Sequence, residues 1–364
     1  MRITSNMSGD SSIYNIQQNQ GRLYKLNEQL GTQQNVNRPS DDPIAAKNIL
    51  DIYDKLAVQN QYQANVTKTV TGMKIADTSL SAISGFMAQA VLLVATIPDG
   101  SNDSAFRDSV ASQLDVLKYQ ITSMGNTQIG DRYIFGGYKD NVLPFSKTDL
   151  TGDTSVGSFV LTNIDTTTLN DGMLISGAGI PANTTITVNQ PPDAIGSVTL
   201  SNAATAAGVA SPVVLEGFVG TNDNINIKIG DNTTIKANVN GGELLNGTGS
   251  APYGNTNILA VFSQLYTAIK DNDVAAIKTG SAQIDMGLNQ VRNARSNLIT
   301  RTTRVESMSA INKNYINTLE TILTNIQNVD TAKIGVELNM QQTAFEASLS
   351  TTAKISKLSL LDYL

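Results

Sequence analysis

The residue types that carry most enzyme chemistry are missing from this 364-residue chain, which contains no Cys, no His and no Trp. Thiolate nucleophiles, Ser-His-Asp triads and the common zinc sites all need Cys or His. Carboxylates remain, and they could form an acid–base pair or bind calcium. The sequence has no calcium-loop motif, no glycine-rich phosphate loop and no Gly-x-Ser-x-Gly motif. We therefore predict no catalytic residues, no metal and no cofactor.

The enzymatic alternative depends on three carboxylates in the middle of the chain, Glu216, Asp223 and Glu243. A glycan hydrolase would need two of them at a fixed separation. Nothing in their sequence spacing defines such a pair. A surface adhesin whose middle region binds carbohydrate is a related alternative, and it would use the same part of the chain.

The charge balance argues against nucleic acid as a partner. The chain has 25 basic and 31 acidic residues, a formal charge of −6, whereas nucleic-acid-binding domains usually have a basic face. No apolar run reaches the roughly 20 residues that a membrane-spanning helix needs. The first 20 residues also lack the apolar core of a secretory signal. We expect no membrane partner, and either a cytoplasmic protein or export without such a signal.

The composition changes twice along the chain. Residues 141–254 hold six of the nine prolines and 15 of the 28 glycines, and they read as short strands. They also hold three Lys and nine Asp or Glu, which leaves the flanking helical regions balanced at 22 basic and 22 acidic residues. The strand spacing predicts a small sandwich or barrel, with Phe145, Phe159 and Phe218 in its core.

The terminal regions have narrow apolar stripes at heptad spacing, which is typical of helices paired along their length. Such helices gain most of their stability from a partner. The stripes could pair the two terminal helices within one chain, or they could become ordered only on assembly. We predict both intramolecular pairing and subunit contacts for Ile16, Leu23, Leu30, Tyr315, Leu319, Ile322, Ile326, Leu338, Phe345 and Leu349.

A strong helix start follows the first stripe. Asp42 offers a capping carboxylate, and Pro43 suits the first helical position. The predicted fold is α+β and mainly α. It is an elongated antiparallel rod of terminal coiled-coil helices and a helical bundle, with an inserted β-rich domain. The predicted domains are terminal helices at 1–44 and 311–364, disordered in the monomer, a rod at 45–140 and 255–310, and an outward-facing insert at 141–254.

Five segments in order resemble the flagellin superfamily, and within it the branch that joins the flagellar hook to the filament. The resemblance covers the two helical ends and not residues 149–208. The matching segments are Met1–Ser5, Arg38-Pro39-Ser40-Asp41-Asp42-Pro43, Gly130–Lys139 with its Arg-Tyr-Ile-Phe-Gly-Gly, Gly287–Arg304, and Leu358–Leu364 with its Tyr-Leu ending.

The resemblance implies a structural subunit of the bacterial flagellum. It would form a ring with copies of itself between hook-associated protein 1 and flagellin. It would leave the cell through the flagellar type III apparatus, with an uncleaved N-terminus and a chaperone on its C-terminal region. Its site would be extracellular, at the hook–filament junction. Flagellin itself is the alternative within the family, although the Arg-Tyr-Ile-Phe-Gly-Gly segment and the Tyr-Leu ending disfavour it.

Overall fold

The computed structural model describes residues 5–97, 103–181, 183–189, 193, 195–247 and 253–361, with side chains for all of these except 5–9 and 355–361. The opening Met1–Thr4 and the last three residues of the chain, which belong to the first and last of the matching segments, lie outside this description. The chain divides into two compact units, Met1–Gln61 with Ile311–Leu364, and Tyr62–Ala310. We call them the terminal unit and the central unit.

Seven helices form in the described residues, and two of them, α2 and α6, contribute residues to both units. The first helix ends at Thr32, and the second begins at Pro43, where the predicted cap lies. The helices are α1 (Ser5–Thr32), α2 (Pro43–Val94), α3 (Ser104–Gly125), α4 (Gly241–Leu245), α5 (Ile258–Asp271), α6 (Val274–Gln327) and α7 (Thr331–Leu361).

The strands form one closed barrel and two small antiparallel pairs. In the barrel the strand order is β3-β4-β7-β6-β5-β8, while β1 pairs with β2 and β9 pairs with β10. The strands are β1 (Gln128–Ile129), β2 (Arg132–Tyr133), β3 (Phe145–Thr154), β4 (Val160–Ile164), β5 (Leu174–Gly177), β6 (Thr184–Val188), β7 (Gly196–Leu200), β8 (Gly208–Phe218), β9 (Asn226–Gly230) and β10 (Thr233–Lys236). The predicted class, mainly α with an inserted β-rich region, is confirmed.

The chain enters and leaves the barrel at two residues that lie side by side. Phe145 begins β3, Phe218 ends β8, and the two are register partners. Their rings lie 5.4 Å apart, and both are buried in the helical core of the central unit. The barrel has a separate core of its own, built from aliphatic side chains such as Leu161, Val198 and Leu215.

The second strand pair belongs to the helical core. Ile229 of β9 and Ile235 of β10 are buried among side chains of the central helices, not among those of the barrel. The stretch 141–254 therefore contains two structures, a barrel and a short extension of the helical core.

Helix α2 includes a stretch apolar enough, by length and composition alone, to cross a membrane. Eight of its apolar residues are instead buried in the core of the central unit, at three- and four-residue intervals that place them on one helix face. They are Val66, Met73, Ala76, Leu80, Ile83, Met87, Ala90 and Val94. This spacing is that of a helix inside a protein core.

None of the three phenylalanines predicted for the barrel core lies in it. Phe145 and Phe218 are buried in the helical core instead, because they stand where the chain enters and leaves the barrel. Phe159 is 53% exposed, because it lies in the loop just before β4 and not on an inward position of a strand.

Strand β3 was missed altogether, since its polar sequence contains Gly152 and two aspartates. The more buried positions of β3 are mostly small or polar, since they hold Ser146, Thr148, Gly152 and Thr154 beside Leu150. The alternation of apolar and polar residues that predicts a strand is therefore missing.

Candidate subunit interface

Helices α1 and α7 of the terminal unit pair along one face of each. Ile16 and Leu23 of α1 are half-buried, as are Leu338 and Phe345 of α7. Polar bonds join the same faces. The Asn19 amide donates to the Ser348 hydroxyl at 3.1 Å, and the Gln341 amide donates to Asn19 Oδ1 at 3.1 Å.

Burial in this pair is shallow. Across residues 10–32 and 331–354, only Gln29 and Ile334 are fully buried. The predicted contact residues Leu30 and Leu349 remain 37% and 44% exposed. Because helical stability in proteins comes mainly from packing of an apolar face, this pair gains little from its own contacts.

The heptad run on α6 divides between two environments. Leu319 is 5% exposed and forms a small core with Ile52 and Leu56 of α2. Ile326 is half-buried against the same core, whereas Tyr315 and Ile322 remain 43% and 42% exposed. At 100° per residue the exposed pair is centred about 40° from the buried pair around the helix axis. One side of the run therefore packs against α2, and the other is largely open to solvent.

Further apolar side chains of the terminal unit are exposed, and the sequence pattern did not predict them. Their helical positions were visible, but a stripe of single residues cannot be separated from ordinary surface variation in one sequence. They occur on all four helices of the terminal unit. They include Ile13, Tyr14, Tyr24, Ile44, Leu50, Tyr53, Val58, Ile311, Val336 and Met340.

A contiguous patch of exposed apolar side chains marks an interaction surface in a folded protein, and these residues are the candidates for such a patch. Charge does not oppose such a contact. The terminal unit contains ten basic and eleven acidic residues, which nearly cancel. Two copies of this unit could therefore meet without strong electrostatic repulsion.

The connectors between the helices meet in a short antiparallel bridge. The Asn35 N–H donates to the Gln327 carbonyl at 2.7 Å, and the Val329 N–H donates to the Gln33 carbonyl at 3.2 Å. Gln33 has a φ of 57°, the left-handed region that non-glycine residues seldom adopt. This turn ends α1 and directs the chain into the bridge.

The Arg-Pro-Ser-Asp-Asp-Pro segment builds the joint between α1 and α2. Arg38 pairs with Glu28 at 3.0 Å, and Lys25 pairs with Asp41 at 3.3 Å. Asp41 also accepts a hydrogen bond from the Arg38 N–H at 3.0 Å. Desolvation opposes ionisation of Asp41, but the Arg38 N–H and Lys25 outweigh it and lower the pKa of this carboxyl.

Asp42 occupies the capping position of α2. Its Oδ1 accepts hydrogen bonds from the N–H groups of Ile44 and Ala45, at 3.0 and 2.9 Å. Pro43 begins the helix, where its missing N–H has no consequence. Asp273 and Asp330 make the same pair of bonds at the starts of α6 and α7.

Two of the three candidate catalytic carboxylates make structural contacts. Glu216 pairs with Lys118 at 3.0 Å, and Glu243 accepts from the Asn240 amide at 2.9 Å. Asp223 is exposed, and its backbone carbonyl accepts from the Asn238 amide. Among the described residues no group of three His, Cys, Asp or Glu could hold a metal ion.

Comparison with known proteins defines the class. The profile of the bacterial flagellin N-terminal helical region matches residues 3–140, and that of the flagellin C-terminal helical region matches residues 282–364. Together these regions make up more than half of the chain, and they include every helix of the terminal unit. The chain belongs to the bacterial flagellin family, as its motif order predicted.

Two curated relatives show which members of this family the chain resembles. The chain is 30% identical over 148 residues to the flagellar hook-associated protein 3 of Salmonella typhimurium strain LT2, and equally to that of Escherichia coli strain K12. Each match covers 40% of this chain and 47% of the relative, so the chain matches about half the length of these proteins.

One solved structure supports the fold. It is a putative flagellar hook-associated protein from Vibrio parahaemolyticus, which aligns with a TM-score of 0.55 at 16% identity. The alignment covers 79% of this chain and 100% of the other.

Proposed function

We propose that this chain is a structural, non-catalytic subunit of the bacterial flagellum that joins the hook to the filament. The observation that carries the proposal is the set of exposed apolar side chains on the terminal unit, which from residue 3 onwards lies within the two regions that match the flagellin family. A protein with this surface gains stability by packing its terminal helices against other subunits. The match to hook-associated protein 3 favours the junction over the filament.

The proposed assembly assigns a separate role to each region of the chain. Residues 1–44 and 311–364 form the inner polymerisation region, which stays loose in the monomer and becomes ordered in a ring of copies. Residues 45–140 and 255–310 set the spacing between subunits, and residues 141–254 face outwards. Hook-associated protein 1 lies on the hook side of the ring, and flagellin lies on the filament side.

Export precedes assembly in this scheme. The chain leaves the cell through the flagellar type III apparatus with its N-terminus uncleaved, and a chaperone holds its C-terminal region until then. Its working site is extracellular. The absence of Cys suits a chain that passes unfolded through a narrow channel.

A polymerisation assay separates the junction from the filament. Purified full-length chain is added to short filament seeds, and the products are followed by light scattering and electron microscopy. A junction subunit caps or decorates seeds without extending them. Long filaments made of this chain alone would show that it is a filament subunit and would overturn the junction proposal.

A further inference from the structure

One end of the barrel has a cluster of exposed apolar side chains that its core does not use. Val156, Phe159, Val160 and Val209 are 69%, 53%, 39% and 86% exposed. We call these four residues the barrel tip. They lie in the loop between β3 and β4 and at the starts of β4 and β8.

The barrel tip lies at the opposite end of the β3–β8 ladder from Phe145 and Phe218, which enter the helical core. The β3–β8 ladder runs from Phe145 and Phe218 at the base to Thr154 and Gly208. Nine residues of strand at about 3.3 Å each place the tip roughly 30 Å from that base. An apolar cluster at this distance cannot contribute to the packing between barrel and helices.

The loop that presents the tip is held by backbone hydrogen bonds. The Gly157 N–H donates to the Ala204 carbonyl, and the Ala204 N–H donates to the Ser158 carbonyl, both at 2.8 Å. The Leu200 N–H donates to the Phe159 carbonyl at 2.6 Å. The apolar side chains are therefore displayed on a fixed backbone, and binding there would cost little ordering entropy.

The charge of the barrel restricts what can cover the tip. Residues 145–218 contain one lysine, Lys147, and six carboxylates. Lys147 lies opposite Glu216 in the β3–β8 register, close to the base, so the barrel itself provides no cation at the tip. A second barrel or an anionic membrane would be repelled.

One of the six carboxylates lies beside the tip. Asp153 accepts a hydrogen bond from the Ala210 N–H at 2.6 Å and another from the Asn163 amide. These bonds, that from Ala210 first, lower the pKa of Asp153. The rim of the tip is therefore anionic at neutral pH.

We propose that the barrel tip is a docking surface for a protein segment with an apolar face flanked by Lys or Arg, such as a cationic amphipathic helix. The apolar face would cover Phe159 and the three valines, while the cations would face the acidic barrel wall. This role is independent of the proposed junction function, since the barrel lies outside the family-matched regions.

A synthetic probe tests the proposal on the full-length chain. The probe is a helical peptide of about 14 residues with Leu on one face and Lys on the other, and its partner probe has Glu in place of Lys. The matched control variant is Ile195→Ser, because Ile195 is 73% exposed on the same barrel but next to Gly196, which pairs with Ile164 away from the tip.

Titration calorimetry should show binding of the Leu/Lys peptide to the unchanged chain and to Ile195→Ser with equal affinity. Phe159→Ser should weaken binding at least about tenfold, and Val209→Ser should weaken it in the same direction. The Leu/Glu peptide should not bind. Unchanged melting temperatures would show that both tip variants are folded, as expected for exposed side chains.

Three results would overturn the proposal. They are no binding of the Leu/Lys peptide, an equal loss of binding in Ile195→Ser, and equal binding of the acidic peptide. Sedimentation of the chain without peptide tests the remaining alternative, that the tip binds a second copy of this chain. Self-association that Phe159→Ser abolishes would assign the tip to a second copy instead.

Discussion

Asp42 shows how a single side chain sets the start of a long helix. Its Oδ1 accepts two N–H groups that α2 would otherwise leave unpaired. Asp42→Ala should lower the free energy of unfolding by about 1 kcal/mol, measured by urea denaturation of the full-length chain. Asp42→Ser keeps an acceptor at the cap and should recover most of that loss. Equal losses in both variants would contradict the capping role.

Asp41 makes the joint between α1 and α2 sensitive to acid. Its pKa is lowered from 3.8 in the folded chain, so its ionised form stabilises the fold above pH 3.8. That stabilisation is lost as the pH falls below 3.8 and through the folded value. Asp41→Asn should therefore be less stable than the unchanged chain at neutral pH, and the difference should shrink in acid. A difference that stays constant between neutral pH and strong acid would contradict this assignment.

Some residue roles follow from local chemistry and others do not. The Asp42-Pro43 pair could be predicted because a cap depends only on neighbouring residues. The bonds of Asp41 could not, because Lys25 reaches it across a turn that Gln33 makes in an unusual conformation. The left-handed backbone conformation of this glutamine could not be predicted from the sequence.

At the scale of the element, the heptad run of α6 contains one set of residues that stabilises the fold and another that we assign to assembly. Leu319 packs against α2, and Tyr315 and Ile322 do not. Leu319→Ala should cost about 2–5 kcal/mol of stability. The double variant Tyr315→Ser and Ile322→Ser should change stability by less than about 1 kcal/mol but should weaken assembly onto flagellar ends.

The measurement pairs thermal unfolding of each variant with pelleting on filament seeds. Normal pelleting by the double variant would show that this face is not a subunit contact. The sequence identified the heptad but could not divide it, since a period of 3.5 residues is equally satisfied by one neighbour or by two.

Helices α1 and α7 are held together by shallow contacts. Only Gln29 and Ile334 are fully buried in their described side chains, so opening of this pair should cost little free energy. Limited proteolysis of the monomer should cleave within residues 1–40 and 330–364 before it cleaves the central unit. Equal resistance of the ends and the centre would contradict the proposal of loose termini.

At the scale of the whole molecule, the barrel is an insertion with its own core. Phe145 and Phe218 are antiparallel partners at its base, so residues 146–217 leave and rejoin the helical core at one point. Replacing Ser146–Gly217 with a short glycine-rich turn should leave the central helices folded. Their circular dichroism and the pelleting of the shortened chain on filament seeds report the outcome. Collapse of the helical signal would show that the barrel supports the core.

The sequence predicted the presence of this insert but not its limits. Proline, glycine and acidic residues mark 141–254 as different from its surroundings. Composition could not show that β9 and β10 pack into the helical core, because Ile229 and Ile235 would suit either core equally. The closed barrel also depends on pairings between strands far apart in sequence, which local patterns do not encode.

Deletion of the gene for this chain in its source bacterium tests the junction proposal most directly. Electron microscopy of the cells and immunoblotting of the medium give the result. The account predicts hooks without filaments, with flagellin lost into the medium, and recovery of filaments when the unchanged chain is supplied. Intact filaments on the deletion strain would contradict it.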